Sequence, residues 1–262
     1  MLQLSFGFGA LEADFWRVVF VMTRIGAAMM AAPLFGMATV PPQVRVIATG
    51  AIALLVCAWT PVAAPPVLLS LAGMLSVANE VLIGLALGFA LQLTFASPTL
   101  AAEVIGGGMG MSIATTADPV SGASSPAMGQ YFAVVLTVIF LGTGAHLNWI
   151  ALIVESYRTF PPGTAWLAPE RMELITRFAG TMFVTGLLIA LPVTLILLLV
   201  QVTTGIISRS APALNLFSLG LPAGVLAGLA AMIAVAPMLT DLMVDMSAGA
   251  VENAAALLAR AE

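Results

Sequence analysis

Residues 106–129 read GGGMGMSIATTADPVSGASSPAMG. The stretch is rich in Gly, Ser, Thr and Pro, yet it stands between long apolar segments. A loop of this kind facing lipid would leave backbone N–H and C=O groups without partners, and hydrocarbon offers none in place of water. Such backbone persists only inside protein or against a water-filled cavity. The stretch therefore predicts irregular backbone lining a pore or a transport path, and an all-α membrane protein around it.

The composition agrees. The chain is 61% hydrophobic and 8% charged, with a mean hydropathy of +1.12, whereas soluble domains carry about 25% charged residues. The windows 46–79, 119–154, 178–208 and 210–240 hold no charged residue, and each is long enough for a span of about 20 residues. All basic residues are Arg, the net charge is -4, and no basic run occurs, which argues against nucleic-acid binding. The lone Cys57 excludes an internal disulfide and most metal frameworks. The start, MLQLSFGFGALEADFW, has no basic n-region or clear cleavage site, so the first helix is expected to be an uncleaved anchor.

Six long apolar helices arranged as hairpins are expected. The first covers 15–33, with Glu12 or Asp14 at its N-terminus and Arg17 and Arg24 within it. The second covers 44–60, closed by Trp59 and the Pro-rich 61–66. The third covers 67–95, with Glu80 inside, and a separate short helix at 98–105 carries Glu103. The fourth runs unbroken over 130–153. A polar connection, 155–177, precedes the fifth helix at 178–208, and a turn at 209–215 leads to the sixth at 217–239. The Ala-rich tail 240–262 extends that last helix, so the final third reads as one long hairpin with its tip near Pro212.

Arg24, Glu80 and Glu103 are the charges expected inside. An Arg at a helix centre costs about 2.5–3.5 kcal/mol on insertion scales, so such groups face a partner or a cavity. They form either an ion relay or interhelical pairs that fix register; pairing is favoured, because there are too few carboxylates for a proton chain. Gly84 with Gly88, and Gly220 with Gly224 and Gly228, are spaced for close helix packing. Within the opening stretch, Gly106, Gly107, Gly108 and Gly110 supply conformational freedom, Asp118-Pro119 a turn, and Met109, Met111 and Met128 soft side chains. A re-entrant loop closing a pore fits all three features; a flexible connection between spans is the alternative. The Lys-Ser/Thr of a phosphate-binding loop is missing. His146, the single His, lacks a neighbouring ligand set and reads as structural. No nucleophile elbow, HExxH or catalytic carboxylate pair is visible, so no enzymatic activity and no cofactor is expected.

In order and spacing, several pieces of the chain resemble the FliR family of the flagellar type III export gate, whose injectisome relatives form the SctT family. They are Arg24 with Ala-Pro-Leu-Phe-Gly at 32–36, Val40-Pro41 with Val44-Arg45, and Asn79-Glu80-Val-Leu-Ile-Gly-Leu-Ala-Leu-Gly-Phe at 79–89. Next come Gly106 to Asp118-Pro119, Ile-Phe-Leu-Gly-Thr-Gly-Ala-His-Leu at 139–147, and the run from Ser208-Arg209 to Leu221-Pro222. The likeness covers nearly the whole chain. Ala145 departs from it, standing where the family often has a second Gly beside the His.

The resemblance implies a structural subunit, not an enzyme. It implies a FliP-like region over 1–177, with a pore plug at 106–129, and a FliQ-like hairpin over 178–262, with its tip at 209–215 (Arg209, Pro212, Asn215). It implies assembly with FliP-like and FliQ-like subunits, contact with FlhB-like and FlhA-like export proteins and passage of unfolded flagellar substrates. The place implied is the bacterial inner membrane, as a multi-pass protein bordered by lipid at the flagellar basal body. Much of such an assembly lies above the membrane plane, so the buried charges become pairs within or between subunits. Counting Arg alone would put 155–177 in the cytoplasm; the resemblance points the other way. An ion-coupled secondary transporter of small molecules is the competing class, but no second broken helix marks an inverted half. A lipid-modifying enzyme lacks a recognisable catalytic group.

Overall fold

The computed structural model describes residues 10–60, 62, 70–111, 127–210 and 220–259. Among these lie seven helices: α1 (Ala10–Ala31), α2 (Pro42–Trp59), α3 (Leu71–Gly108), α4 (Ala127–Gly142), α5 (Ala145–Thr159), α6 (Pro169–Ser210) and α7 (Leu221–Ala256). Four of them, α2, α3, α6 and α7, are long and apolar enough to cross a membrane; α4 with α5 makes a fifth if that bent pair is one span. The all-α membrane class follows, with four or five spans where six were expected. The difference begins with α1, which carries Glu12, Asp14, Arg17 and Arg24 and is not among the candidate spans.

Helix ends follow local chemistry. Pro42 occupies the first turn of α2, where a missing N–H costs nothing. The helix stops at Thr60, whose backbone is extended ahead of Pro61. Helix α5 starts from Gly144 at φ 75° and ends at Phe160, before Pro161-Pro162. Helix α6 opens on Pro169 and carries Arg209 in its last turn, where a cation suits the helix dipole.

Two expected boundaries are corrected. The short helix at 98–105 is not separate: α3 continues through Pro98 for 38 residues. A proline removes one backbone bond, and neighbouring helices and hydroxyls can compensate; Thr99 donates its hydroxyl to the Phe95 carbonyl at 3.3 Å, and the Phe95 ring meets Phe140 edge-on at 5.5 Å. Conversely, the fourth span is not continuous. It breaks between α4 and α5 with a 69° bend, because Gly144 takes a left-handed conformation that only Gly adopts freely.

The chain forms two compact units, each interleaved along the sequence. One comprises Met1–Leu93, Gly144–Phe178 and Ala248–Glu262; the other comprises Thr94–Thr143 and Ala179–Ser247. In the first, α1 buries Phe20, Val21, Arg24, Ile25, Ala28 and Met29 on one helical face. Ile83, Leu87, Trp149 and Tyr157 complete its core. In the second, Ile105, Met109, Phe132, Phe140, Val193 and Leu197 are buried. Glu80 and Arg24 belong to the first unit; residues 106–111 belong to the second.

Candidate functional site

The first unit is built around Arg24, which is fully buried together with Glu80. Arg24 Nε donates to Glu80 Oε2 at 2.8 Å, and Nη2 donates to Oε1 at 2.9 Å. Nη1 donates to the Ser156 carbonyl at 2.8 Å and to Ser156 Oγ at 3.0 Å, and Nη2 donates again to the Phe160 carbonyl at 2.9 Å. A guanidinium has five N–H donors, and here each has a partner. The Tyr157 ring lies under the guanidinium, 4.2 Å from its carbon, and the Tyr157 hydroxyl donates to the Val21 carbonyl at 2.7 Å. Arg24 thus ties α1 to α3 through Glu80 and to the C-terminal end of α5 through the Ser156 and Phe160 carbonyls, where a cation is favoured by the helix dipole.

Glycines set this geometry. A Cβ on Gly84 would overlap the carbonyl oxygen of Arg24 itself and sit 2.9 Å from Ala27 Cβ. One on Gly88 would lie 2.5 Å from the Ala28 carbonyl oxygen and 2.6 Å from Ala31 Cβ. The Gly84–Gly88 spacing therefore is a backbone-to-backbone crossing of α3 on α1. It brings Glu80, one turn before Gly84, to the level of Arg24.

A second fastening lies beside the first. Asn79 Nδ2 donates to the Thr164 carbonyl at 2.6 Å, and Asn79 Oδ1 accepts from the Trp166 N–H at 3.0 Å. Trp166 is 2% exposed, and its Nε1 donates to the Leu257 carbonyl at 3.3 Å. Arg171 donates to the Trp166 carbonyl and lies over the Phe160 ring. The connection read from sequence as polar is therefore pinned from both sides.

The glycine-rich stretch is helical where it begins. Gly106, Gly107 and Gly108 end α3, and the chain turns at Gly110 with φ 81°. Three Gly in a helix are unfavourable by about 1 kcal/mol each relative to Ala, but contacts within the second unit hold them. Gln201 Nε2 donates to the Gly108 carbonyl at 2.7 Å. Met109 is buried in a notch of α7: a Cβ on Gly228 would overlap its methyl carbon and lie 2.7 Å from its Cγ, and one on Gly224 would lie 3.1 Å from its carbonyl oxygen. So Met109 is a packed side chain, and Met111 is half-buried. At the other end, Met128 and Gly129 are buried in α4.

Other expected positions separate. Glu103, grouped from sequence with the buried charges, is exposed on α3. Arg209 is exposed at the end of α6. Asp118, Pro119, Pro212 and Asn215 lie outside the described residues. Among the described residues, no cluster of three or more His, Cys, Asp or Glu could hold a metal ion. Ser156, Tyr157, Phe160 and Trp166 were not singled out for this knot: backbone acceptors leave no signature in a sequence, and Ser and Tyr are unremarkable near a helix end.

A family described as bacterial export proteins, family 1 matches residues 15–250. The chain is 32% identical over 229 residues to the flagellar biosynthetic protein FliR of Escherichia coli (strain K12), covering 87% of this chain and 86% of that protein. FliR of Bacillus subtilis (strain 168) is 32% identical over 206 residues, covering 77% and 79% of the two chains. The surface presentation of antigens protein SpaR of Shigella flexneri is 29% identical over 143 residues, about half of each chain. The match over residues 15–250 and the 32% identity along most of both chains lead to one assignment: the chain belongs to the FliR family of bacterial export proteins.

Proposed function

We propose that this chain is a structural, non-catalytic subunit of the flagellar type III export gate, which forms and closes the inner-membrane pore for unfolded flagellar proteins. The observation that carries the reading is the family match over residues 15–250. Helix length supports it. Helices α3, α6 and α7 hold 38, 42 and 36 residues, about 54–63 Å at 1.5 Å per residue. That is nearly twice the ~30 Å hydrocarbon thickness, so much of each must meet protein or water. Their apolar faces then suit neighbouring subunits, which we take to be FliP-like and FliQ-like, with FlhB-like and FlhA-like proteins at the entrance. In this reading 1–177 takes the FliP-like place and 178–262 the FliQ-like hairpin, with its tip at 209–215. Residues 106–129 contribute to closing the pore, rooted at Met109.

The transporter reading needs a site for a coupling ion. The charge pair best placed for one is fully buried, and every guanidinium donor is engaged within the protein. Co-expression with FliP-like and FliQ-like proteins should yield one stable hetero-complex. A well-behaved homo-oligomer that leaves those partners behind would sink the proposal. Deleting part of 108–117 should leave an assembled gate that leaks ions; a complex as tight as the parent would remove the sealing role.

A further inference from the structure

We infer that residues 248–258, the end of α7 and the turn after it, form a detachable latch that closes the first unit, with Trp166 as its catch and Gly249 as its hinge. All the groups involved belong to that unit. The seat is built by the connection 160–171. Asn79 of α3 holds this connection as a neighbouring strand would: it donates to the Thr164 carbonyl at 2.6 Å and accepts from the Trp166 N–H at 3.0 Å. Thr164 closes a turn, its N–H and its hydroxyl donating to the Pro161 carbonyl at 3.1 and 2.7 Å. Arg171 donates to the Trp166 carbonyl and lies over the Phe160 and Trp166 rings. The Trp166 backbone is therefore fixed on both sides and its ring is buried. Its Nε1 then donates to the Leu257 carbonyl at 3.3 Å, at a helix end whose carbonyls have no partner within the helix.

The occupant is held more lightly than its seat. Ala250, Ala254, Leu257 and Leu258 are buried at i, i+4, i+7 and i+8, one side of a helix carried into the turn beyond it. Ala250 and Ala254 each offer a single methyl, while Glu252 and Ala256 are exposed. The parts of a fold with few buried apolar contacts are the ones that open first. Gly249 adds a weak point at the near end. A Cβ there would meet nothing within 4 Å, so packing does not call for Gly, and a Gly loosens a helix that Ala would stiffen. Docked, the segment completes the core and its last turn is capped by the indole. Undocked, it frees about three turns of chain and uncovers Leu257, Leu258 and the Trp166 ring, while Asn79 and Arg171 keep the seat in shape. Trp149 is the contrast within the same unit. Its Nε1 also donates to a carbonyl at 3.3 Å, but that carbonyl belongs to Leu87 in the middle of α3, and its ring stacks on Phe35. Losing that bond loosens α3 and not the latch. The inference does not rest on the export reading.

The test is amide hydrogen exchange of the full chain, purified with whatever subunits accompany it and read peptide by peptide in a mass spectrometer. In the parent, peptides over 250–259 should exchange about tenfold faster or more than those over 20–29 and 83–91, because the latch opens while the rest of the unit stays closed. Trp166→Phe keeps an aromatic ring and removes the N–H. It should speed exchange over 250–259 about threefold to tenfold, the effect of one net hydrogen bond, and leave 20–29 unchanged. Trp149→Phe removes an equivalent bond elsewhere and should leave 250–259 unchanged. Gly249→Ala should slow exchange over 250–259 about twofold to fivefold. Equal protection of all three segments in the parent overturns the inference without any variant having to fold. So does Trp166→Phe exchange that rises across the whole unit or nowhere, or a Trp149→Phe chain that opens 250–259 as much. None of these results bears on the co-expression test of the export reading.

Discussion

Arg24 and Glu80 show at the residue scale how an apolar chain keeps two charges. Removing each ion from water costs several kcal/mol, and only saturated hydrogen bonding offsets it. Glu80→Ala leaves the guanidinium buried and uncompensated, with an expected loss of about 3–5 kcal/mol of stability. Thermal unfolding of the purified chain measures it. Replacing both partners, Arg24→Met with Glu80→Met, should recover most of that loss, although the Phe160 carbonyl then loses a donor. A double variant no more stable than Glu80→Ala would show that the knot is held by more than the pair. Arg24→Lys should also destabilise, since an ammonium cannot reproduce the planar fork that meets Glu80 and the α5 carbonyls together. Glycines give a sharper contrast. Gly84→Ala meets the Arg24 carbonyl and should cost about 1–3 kcal/mol by forcing α1 and α3 apart. Gly107→Ala meets nothing within 4 Å and should be neutral or stabilising by about 0.5–1 kcal/mol. Equal effects in a side-by-side unfolding measurement would contradict the crossing described here. The pairing of Arg24 with a carboxylate was foreseeable from the cost of a lone buried Arg. Which carboxylate was not, because Glu80 and Glu103 look alike in the sequence, and only the α1–α3 crossing turns the first inward.

At the scale of elements, periodicity located the helices better than their ends. Pro98 and the glycines at 106–108 are helix breakers in isolation, yet α3 runs through all of them because its buried side is packed. Local preference of about 1 kcal/mol per Gly yields to tertiary contact. The Met109 notch is the contact to test. Gly228→Ala would collide with Met109 and should cost about 1–3 kcal/mol from overpacking. Met109→Ala alone should cost about 2–5 kcal/mol by leaving a cavity. Combining them should cost less than the sum, because the added methyl occupies part of the space left behind. A strictly additive double variant, read from the same unfolding curves, would mean that the two residues do not touch. The break between α4 and α5 has no signature in the sequence: Gly inside an apolar run is common in membrane helices, and nothing in the linear pattern of Gly142-Thr143-Gly144 marks Gly144 for its φ of 75°.

At the scale of the molecule, exposed apolar side chains dominate the outsides of α2, α6 and α7: Ile47, Trp59, Leu187, Leu199, Ile206, Leu226 and Ile233 are all exposed. Those faces need cover from lipid or protein. The chain made without its partners should therefore be degraded several-fold faster than when FliP-like and FliQ-like subunits are co-expressed, as a pulse–chase measurement would read; an unchanged half-life would argue for a self-sufficient subunit. The sequence alone determined the membrane class, because 61% hydrophobic residues and charge-free windows leave no soluble alternative. It also determined the family, because ordered motifs survive in the linear chain, and the packed faces at Gly84–Gly88, because only small residues admit so close an approach. Tertiary structure decided the rest. It broke the fourth expected span into α4 and α5 at Gly144. It assigned Glu80 rather than Glu103 to Arg24, and it turned Met109 from a loop residue into a packed one. Those outcomes depend on contacts between residues far apart in the chain, such as Arg24 with Phe160 or Met109 with Gly228. Helical period and composition constrain which face is buried, but not which distant face it meets.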